Sequence, residues 1–446
     1  MRKILCGAIV LVAAAALPLT LAAAPEVSFT AEIWNRNEHV ENLTDFEDSD
    51  GSSDKDNLDF AMYRVRAGLN AKAGDISAYV EIQNSGTWGN NLISSNSQDP
   101  NNGPTDLVSA AQTNDMVLYQ GWVHLDHIGG SLFSAKIGRQ EKTLGNELHI
   151  GDADFYSGQY FDGIDTTFDF ESWMLNAFMF TVEDRDLYPG ALQSGSFPYN
   201  GGSDDRTLSG LTAKFTLAEG HDIEPYALYG RDGNEGGGLL NPQYSIWTIG
   251  ALYEREREFE GPFDWSLEAA IQTGDIGSGP GEVDQSSNVV EGSFGYTFGD
   301  EAGSRNRIGV GALILGDGDD PTESEAFMAL YPDTHRRAGM ADVFTKISSS
   351  NFGVNTFHNL TNFYIEWDWH SAGPHSAGAA YHTFTATEDF GAPEDHLGDE
   401  LDLWYNMQRG EHFNVQVGVA NFMPEEDLFL GDDSVLRAYL MGRFRM

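Results

Sequence analysis

From Leu436 to Met446 every second residue is apolar or small, namely Leu436, Ala438, Leu440, Gly442, Phe444 and Met446, while Arg437, Tyr439, Arg443 and Arg445 fall between them. A period of two belongs to a strand with one face in each of two solvents, and a helical stripe would need spacings of three and four. The alternation recurs in Phe413, Val415, Val417 and Val419 against His412, Asn414 and Gln416, and in Phe363, Ile365, Trp367 and Trp369 against Tyr364, Glu366, Asp368 and His370. It recurs again in Trp265, Leu267, Ala269 and Ile271 against Ser266, Glu268 and Gln272.

About eighteen such segments run from residue 26 to the end of the chain, each near the length of about ten residues that crosses a bilayer when tilted. The stretches between them alternate long and short. Long ones fall at 37–57, 85–116, 139–161, 183–206, 232–243, 275–287, 317–358, 387–396 and 423–433, and short ones include Ile128-Gly129-Gly130 and Arg409-Gly410-Glu411. That asymmetry predicts an all-β fold: a transmembrane antiparallel up-and-down β-barrel of about 18 strands with short periplasmic turns and long acidic external loops. The mean hydropathy of −0.35 fits the class, because the lipid face is hidden in alternate positions.

The charge balance excludes other classes. With 69 acidic against 25 basic residues the formal net charge is −44, which leaves no basic stripe for a nucleic-acid backbone. The nine long stretches hold 41 of the acidic residues and 8 basic ones, so most of the charge sits where salt screens it. Asp48-Ser-Asp-Gly-Ser-Ser-Asp places its Gly too early for a calcium-binding helix-loop-helix, and no metal or cofactor is expected.

Arg2 and Lys3 precede an apolar run from Ile4 to Leu17, then Pro18 and the small residues Ala22, Ala23 and Ala24. Residues 1–23 therefore read as a secretory signal peptide and 24–446 as the outer-membrane barrel. Cys6 is the single cysteine and lies inside the signal, which removes disulfides, thiolate metal sites and cysteine nucleophiles together. His124 and His127 are three apart, on opposite faces of a strand, and no Ser, His and acid arrangement appears, so the protein is not expected to be an enzyme.

Alternation also sorts the charged residues. Arg64, Arg66, Arg437 and Arg443 take lumen positions, and closure of the barrel brings the first strands beside the last, so these arginines predict one basic cluster. Glu366, Asp368, Glu400 and Asp402 predict acidic lumen partners. The arginines could bind carboxylates in paired hydrogen bonds as an anion track, or both sets could pair as a structural ladder.

Three stretches resemble the alginate export family of Gram-negative outer-membrane proteins. The first is Tyr119-Gln120-Gly-Trp-Val with Ile137-Gly138-Arg139-Gln140-Glu141, Gly145, Gly151-Asp152 and Phe161-Asp162-Gly163. The second is Leu330-Tyr-Pro-Asp-Thr-His335 with Gly339 and Asp342. The third is Leu397-Gly398-Asp-Glu400-Leu401-Asp402-Leu403 leading to Val417-Gly-Val-Ala-Asn-Phe422-Met-Pro424. The resemblance implies a single-chain barrel that passes an anionic, alginate-like polysaccharide or other hydrophilic solutes, with Arg139 added to the substrate-binding set. It also implies outer-membrane lipid and lipopolysaccharide as surroundings, and the polysaccharide and periplasmic export components as partners. A general or substrate-specific uptake porin for small hydrophilic solutes is the alternative.

Overall fold

The computed structural model describes residues 25–42, 58–88, 113–155, 158–183, 205–233, 243–255, 261–277, 282–299, 303–316, 323–333, 335, 337–346, 359–387, 395–425 and 433–446. The signal segment 1–23 lies outside the described residues, as does much of the acidic sequence between strands.

Eighteen strands form one wall. In chain order they are β1 (Glu26–Glu41), β2 (Leu58–Ala73), β3 (Ile76–Thr87), β4 (Thr113–Leu125), β5 (Phe133–Gln140), β6 (Phe161–Asp169), β7 (Trp173–Glu183), β8 (Arg206–Ala218) and β9 (His221–Asp232). Then follow β10 (Tyr244–Arg255), β11 (Phe263–Ile276), β12 (Val283–Gly299), β13 (Ser304–Leu315), β14 (Thr361–Ser371), β15 (His375–Thr385), β16 (His396–Arg409), β17 (Phe413–Pro424) and β18 (Val435–Arg445). Every sequence-predicted strand is present, and several run further into the external side than the alternation alone indicates.

Each strand pairs antiparallel with its chain neighbours, and β1 closes on β18 from Glu32 opposite Arg445 to Glu41 opposite Leu436. Ala31 and Met446 exchange backbone hydrogen bonds of 3.1 and 2.9 Å at the seam. Closure leaves no edge, so the backbone polar groups of the wall are satisfied without water. No helix among the described residues is long and apolar enough to cross a membrane.

The alternation sorts the faces as expected. Leu267, Ile271, Ile365, Trp367 and Leu440 are exposed on the outer face, while Glu268, Gln272, Asp368 and Tyr439 between them are buried inside.

One departure from the expected layout determines the interior. The long stretches after β5 and after β13 contribute segments that turn into the barrel instead of staying external. Their apolar residues Leu144, Leu148, Ile150, Phe327, Val343 and Phe344 join wall residues Phe178, Phe180, Leu208, Leu228, Phe384 and Phe422 in one buried cluster. The wall strands there are apolar on both faces, because lipid covers one side and the inserted segments cover the other. Glu323–Ser324 lies parallel to β12 at Asp284 and Gln285, and a single-turn helix, Val343–Lys346, closes the described part of the second segment.

Candidate functional site: the occupied lumen

The basic cluster forms at the seam. Glu32 on β1 is in register with Arg66 on one side and Arg445 on the other, and neighbouring Trp34 is in register with Arg64 and Arg443. Residues two apart on a strand share a face, so register alone gathers four arginines around one carboxylate. Arg64 donates Nε to Glu32 at 2.8 Å, and Arg443 and Arg445 each donate Nε to the other Glu32 oxygen at 2.7 Å. Asp154, from the segment after β5, reaches down into the group and meets Arg64 at 2.8 Å and Arg443 at 2.7 Å. Arg66 lies over the Tyr119 ring at 3.8 Å and donates to Gln83 at 2.7 Å. Toward the external side, Glu38 joins Arg36 at 2.6 Å and Arg437 at 3.0 Å, and Arg437 also bonds Asp342 of the second segment.

The structure thus brings Arg64, Arg66, Arg437 and Arg443 to one wall, each engaged by a carboxylate or amide partner. Arg139 is elsewhere. Its guanidinium forms two bonds of 2.7 Å with Asp162, and both residues lie on the strand face opposite Phe161 and Asp165, which point inward. Gly138, where an added Cβ would stand 2.2 Å from the Gly121 carbonyl oxygen, and the buried Gln140 occupy the alternate positions that flank it. The first resemblance stretch therefore carries Arg139 on its sequence but not into the lumen cluster.

The two inserted segments pair with each other across the barrel. Ile150 and Tyr331 form an isolated parallel bridge, in which Tyr331 donates its backbone N–H to His149 at 2.8 Å and Gly151 donates to Tyr331 at 2.8 Å. Arg337 ties both to the wall: it donates to the backbone carbonyls of Asn146, Glu147 and Asp333, and meets Glu291 of β12 at 3.0 Å. His149 is sealed beneath Tyr226, with Nε2 and the phenol oxygen 2.7 Å apart. Burial pushes this imidazole down to about 3, and the nearby Arg337 adds to the shift. Glu141 moves the other way, its carboxyl raised above the usual range chiefly by burial.

Glu400 and Asp402 do a different task from the arginine partners expected of them. Glu400 accepts the backbone N–H of Ala341 at 2.8 Å and Asp402 that of Met340 at 3.1 Å, so the pair holds the second segment by its backbone. Gly339 precedes them with a φ of +78°, and a Cβ there would stand 2.4 Å from Glu400 Oε1, so only glycine fits. Asp342 accepts from His335 at 2.8 Å. All three resemblance stretches therefore converge inside the barrel: the first and second supply the paired segments, and the third supplies the carboxylates that hold them.

Glu366 and Asp368 lie on β14, four strands from β18 at the seam, where Arg307 of the adjacent β13 is a shared partner. Asp264 meets its guanidinium at 2.7 Å, Glu366 bonds it directly, and Asp368 stands 3.7 Å away. Beneath the paired segments these residues border a cavity of about 670 Å³, roofed by Asn146, His335, Arg337, Gly339 and Met340. A smaller space of about 350 Å³ opens at the seam side among Asn406, Gln408, Asn414, Gln416, Arg443 and Arg445.

Sequence reasoning missed Arg36, Asp154, Phe155 and Arg337. Arg36 and its partner Glu38 sit at the end of β1 that alternation truncates. The other three belong to stretches whose acidity reads as solvated loop, and only the nearby motif residues Gly151, His335 and Asp342 signal that the stretches are structured.

A family model described as alginate export matches residues 26–434. Among solved structures, Pseudomonas aeruginosa OccK1 (OpdK) superposes with a TM-score of 0.57 at 14% identity, covering 94% of this chain and 98% of that one. Pseudomonas aeruginosa OccK9 (OpdG) gives 0.56 at 13% identity, covering 94% and 99%. Pseudomonas aeruginosa OpdK with vanillate gives 0.54 at 14%, covering 94% and 98%. These likenesses are of fold. No individually curated protein sequence matches.

Proposed function

Because the chain belongs to the alginate export family and forms a barrel-shaped outer-membrane channel, we propose that it is a passive uptake pore for small hydrophilic solutes. The role is transport and not catalysis. The observation that carries the small-solute reading is the lumen filling: two segments pair with each other at Ile150 and Tyr331, and are bonded to the wall at Glu291, Glu400 and Asp402. A waist built this way leaves passages at its margins instead of one wide bore. The fold shared with OccK1 and OccK9, and with an OpdK structure containing vanillate, supports the same reading.

The polysaccharide reading has the family match in its favour. It would use Arg64, Arg66, Arg437 and Arg443 as the anion track and would need periplasmic export components. Each of those arginines is already engaged, three of them by lumen carboxylates within 3.0 Å, which argues for a structural ladder. On either reading the outer membrane is the location, lipid and lipopolysaccharide surround the wall, and residues 1–23 are proposed to be removed to give a barrel over 24–446.

Swelling of proteoliposomes in a series of neutral sugars and uronate oligomers tests the proposal. Rates should fall steeply from monosaccharide to trisaccharide, with oligouronates excluded. Oligouronates entering as fast as monosaccharides would restore the polysaccharide reading.

A further inference from the structure

We propose that the outward face of β5 and β6 is an interface between two copies of this chain, related by a two-fold axis along the membrane normal and joined by reciprocal ion pairs between Arg139 and Asp162. The interface lies outside the barrel and is independent of what the pore carries.

Arg139 is the motif residue that the lumen does not use. It and Asp162 are register partners on adjacent strands, joined by two bonds of 2.7 Å, with side chains 29% and 48% exposed. They share a face with Ile137 and Ile164, and Met179, in register with Ile164, is exposed on the same side. The pair stands six residues along each strand from Phe133 and Phe168, whose rings lie 4.9 Å apart beside the short turns. Phe170, Trp173 and Phe215 continue that aromatic row around the wall. At about 3.3 Å per residue and a tilt of about 40°, that separation is a rise of about 15 Å, well inside an apolar band about 25 Å tall. A charged pair at that height faces hydrocarbon unless protein covers it, and charge on a lipid face destabilises a barrel in a depth-dependent way.

The charge pattern points to a second copy as the cover. The patch carries one charge of each sign side by side on neighbouring strands, so it is complementary to itself when turned by half a revolution about the membrane normal. That rotation keeps both barrels in the same orientation and sets Arg139 of each copy opposite Asp162 of the other. Hydrogen-bonding capacity is left for the exchange. Among the described residues, Nε and Nη2 of Arg139 each donate once to Asp162 and Nη1 donates to the Leu118 carbonyl at 3.0 Å, which leaves two of the five guanidinium N–H groups for a partner's carboxylate. Each Asp162 oxygen accepts once and has room for a second donor. The face around the pair is also low. Gly121 is in register with Arg139, and Ala135, Thr166 and Ala177 form a row nearer the short turns, so two walls can approach closely there. Outward positions on other strands hold Val310, Ile365, Leu403 and Val419, which suit lipid.

Residues 24–446 contain no cysteine, so a single introduced thiol reports contacts without background. In outer membranes treated with a short bifunctional thiol reagent, Ile164→Cys, beside the proposed axis, should give a two-barrel band, and Ile365→Cys on β14 should not. Analytical ultracentrifugation of the parent in mild detergent should give twice the chain mass. Arg139→Gln combined with Asp162→Asn removes both charges at nearly constant size and should weaken association at least about tenfold, the scale of one charge-assisted contact. Arg139→Lys, which keeps the charge and loses the fork, serves if the neutral variant lacks heat-modifiable migration, and should weaken association in the same direction. A single-chain mass with no Ile164→Cys product overturns the proposal and leaves the pair as a staple between β4, β5 and β6 of one barrel. A three-barrel mass, a cross-link to a different protein, or undiminished association in the neutral variant overturns the two-fold charge pairing.

Discussion

The ring of Phe155 lies flat against the imidazole of His335, with centroids 3.5 Å apart and planes 11° from parallel. One residue comes from the segment after β5 and the other from the segment after β13. The Arg36 guanidinium lies over the Phe155 ring at 3.8 Å, so a wall arginine, a ring and an imidazole are gathered together at the waist. Phe155 also gives its carbonyl to Arg36 Nη1 at 2.5 Å, and His335 is oriented by Asp342.

Phe155→Ala should therefore loosen the waist without unfolding the barrel. The lost ring contacts are worth about 0.5–1.5 kcal/mol beyond the area they bury, small beside the closed hydrogen-bonded wall. Single-channel recordings should show larger and noisier conductance, with heat-modifiable migration retained. Phe155→Trp, which keeps a flat face, should stay close to the parent.

Gly339→Ala and Gly74→Ala separate backbone strain from lumen architecture. Both glycines have positive φ, +78° and +60°, and an alanine costs about 1–2 kcal/mol in that region. At Gly74, in a short turn, an added Cβ meets nothing within 4 Å, whereas at Gly339 it displaces the Glu400 carboxylate that holds Ala341. Thermal or urea unfolding should register both variants, and conductance should change only with Gly339→Ala.

His149 makes the waist acid-sensitive. Its folded value is depressed to about 3 from an ordinary 6.5, so the unfolded or withdrawn segment binds the proton that the buried one refuses. The stability of the inserted state is full above pH 6.5 and falls as pH drops toward 3. Glu141 acts with the opposite sign, since its raised carboxyl costs the inserted state when ionised and that cost is relieved by acid. Conductance measured from pH 7 to pH 4 should rise toward the acid side, and His149→Gln should flatten the rise. A His149→Gln profile equal to the parent would assign the acid response to other groups.

The wall was legible because lipid on one side and a closed ladder on the other impose a period of two on every strand, as in Phe363 to Trp369. Closure then follows from geometry, so the meeting of Arg64 with Arg443 could be anticipated from alternation and strand order. The lumen filling was not legible by the same means. Leu148 and Ile150 make a single two-residue step and Phe327 and Phe344 stand apart from any such step, too little to mark a strand, and the acidic residues around them, Asp152, Asp154 and Asp333, give the composition of a solvated loop. Their burial depends on contacts between two segments more than 170 residues apart in the sequence, which no local pattern records. Arg139 misled for a related reason: a motif fixes its neighbours, while the strand face alone decides which way its guanidinium points.

If the segments after β5 and β13 set the channel's width from inside, single-channel conductance should respond when residues 325–345 are replaced by a short Gly-Ser linker and the variant is compared with the parent in the same salt. Removing that stretch takes away Phe327, Val343, Phe344 and the Tyr331 bridge while leaving all eighteen wall strands. The expected result is a folded, less stable barrel with conductance raised severalfold and entry of sugars that the parent excludes. A folded variant with unchanged conductance and unchanged sugar cutoff would contradict it.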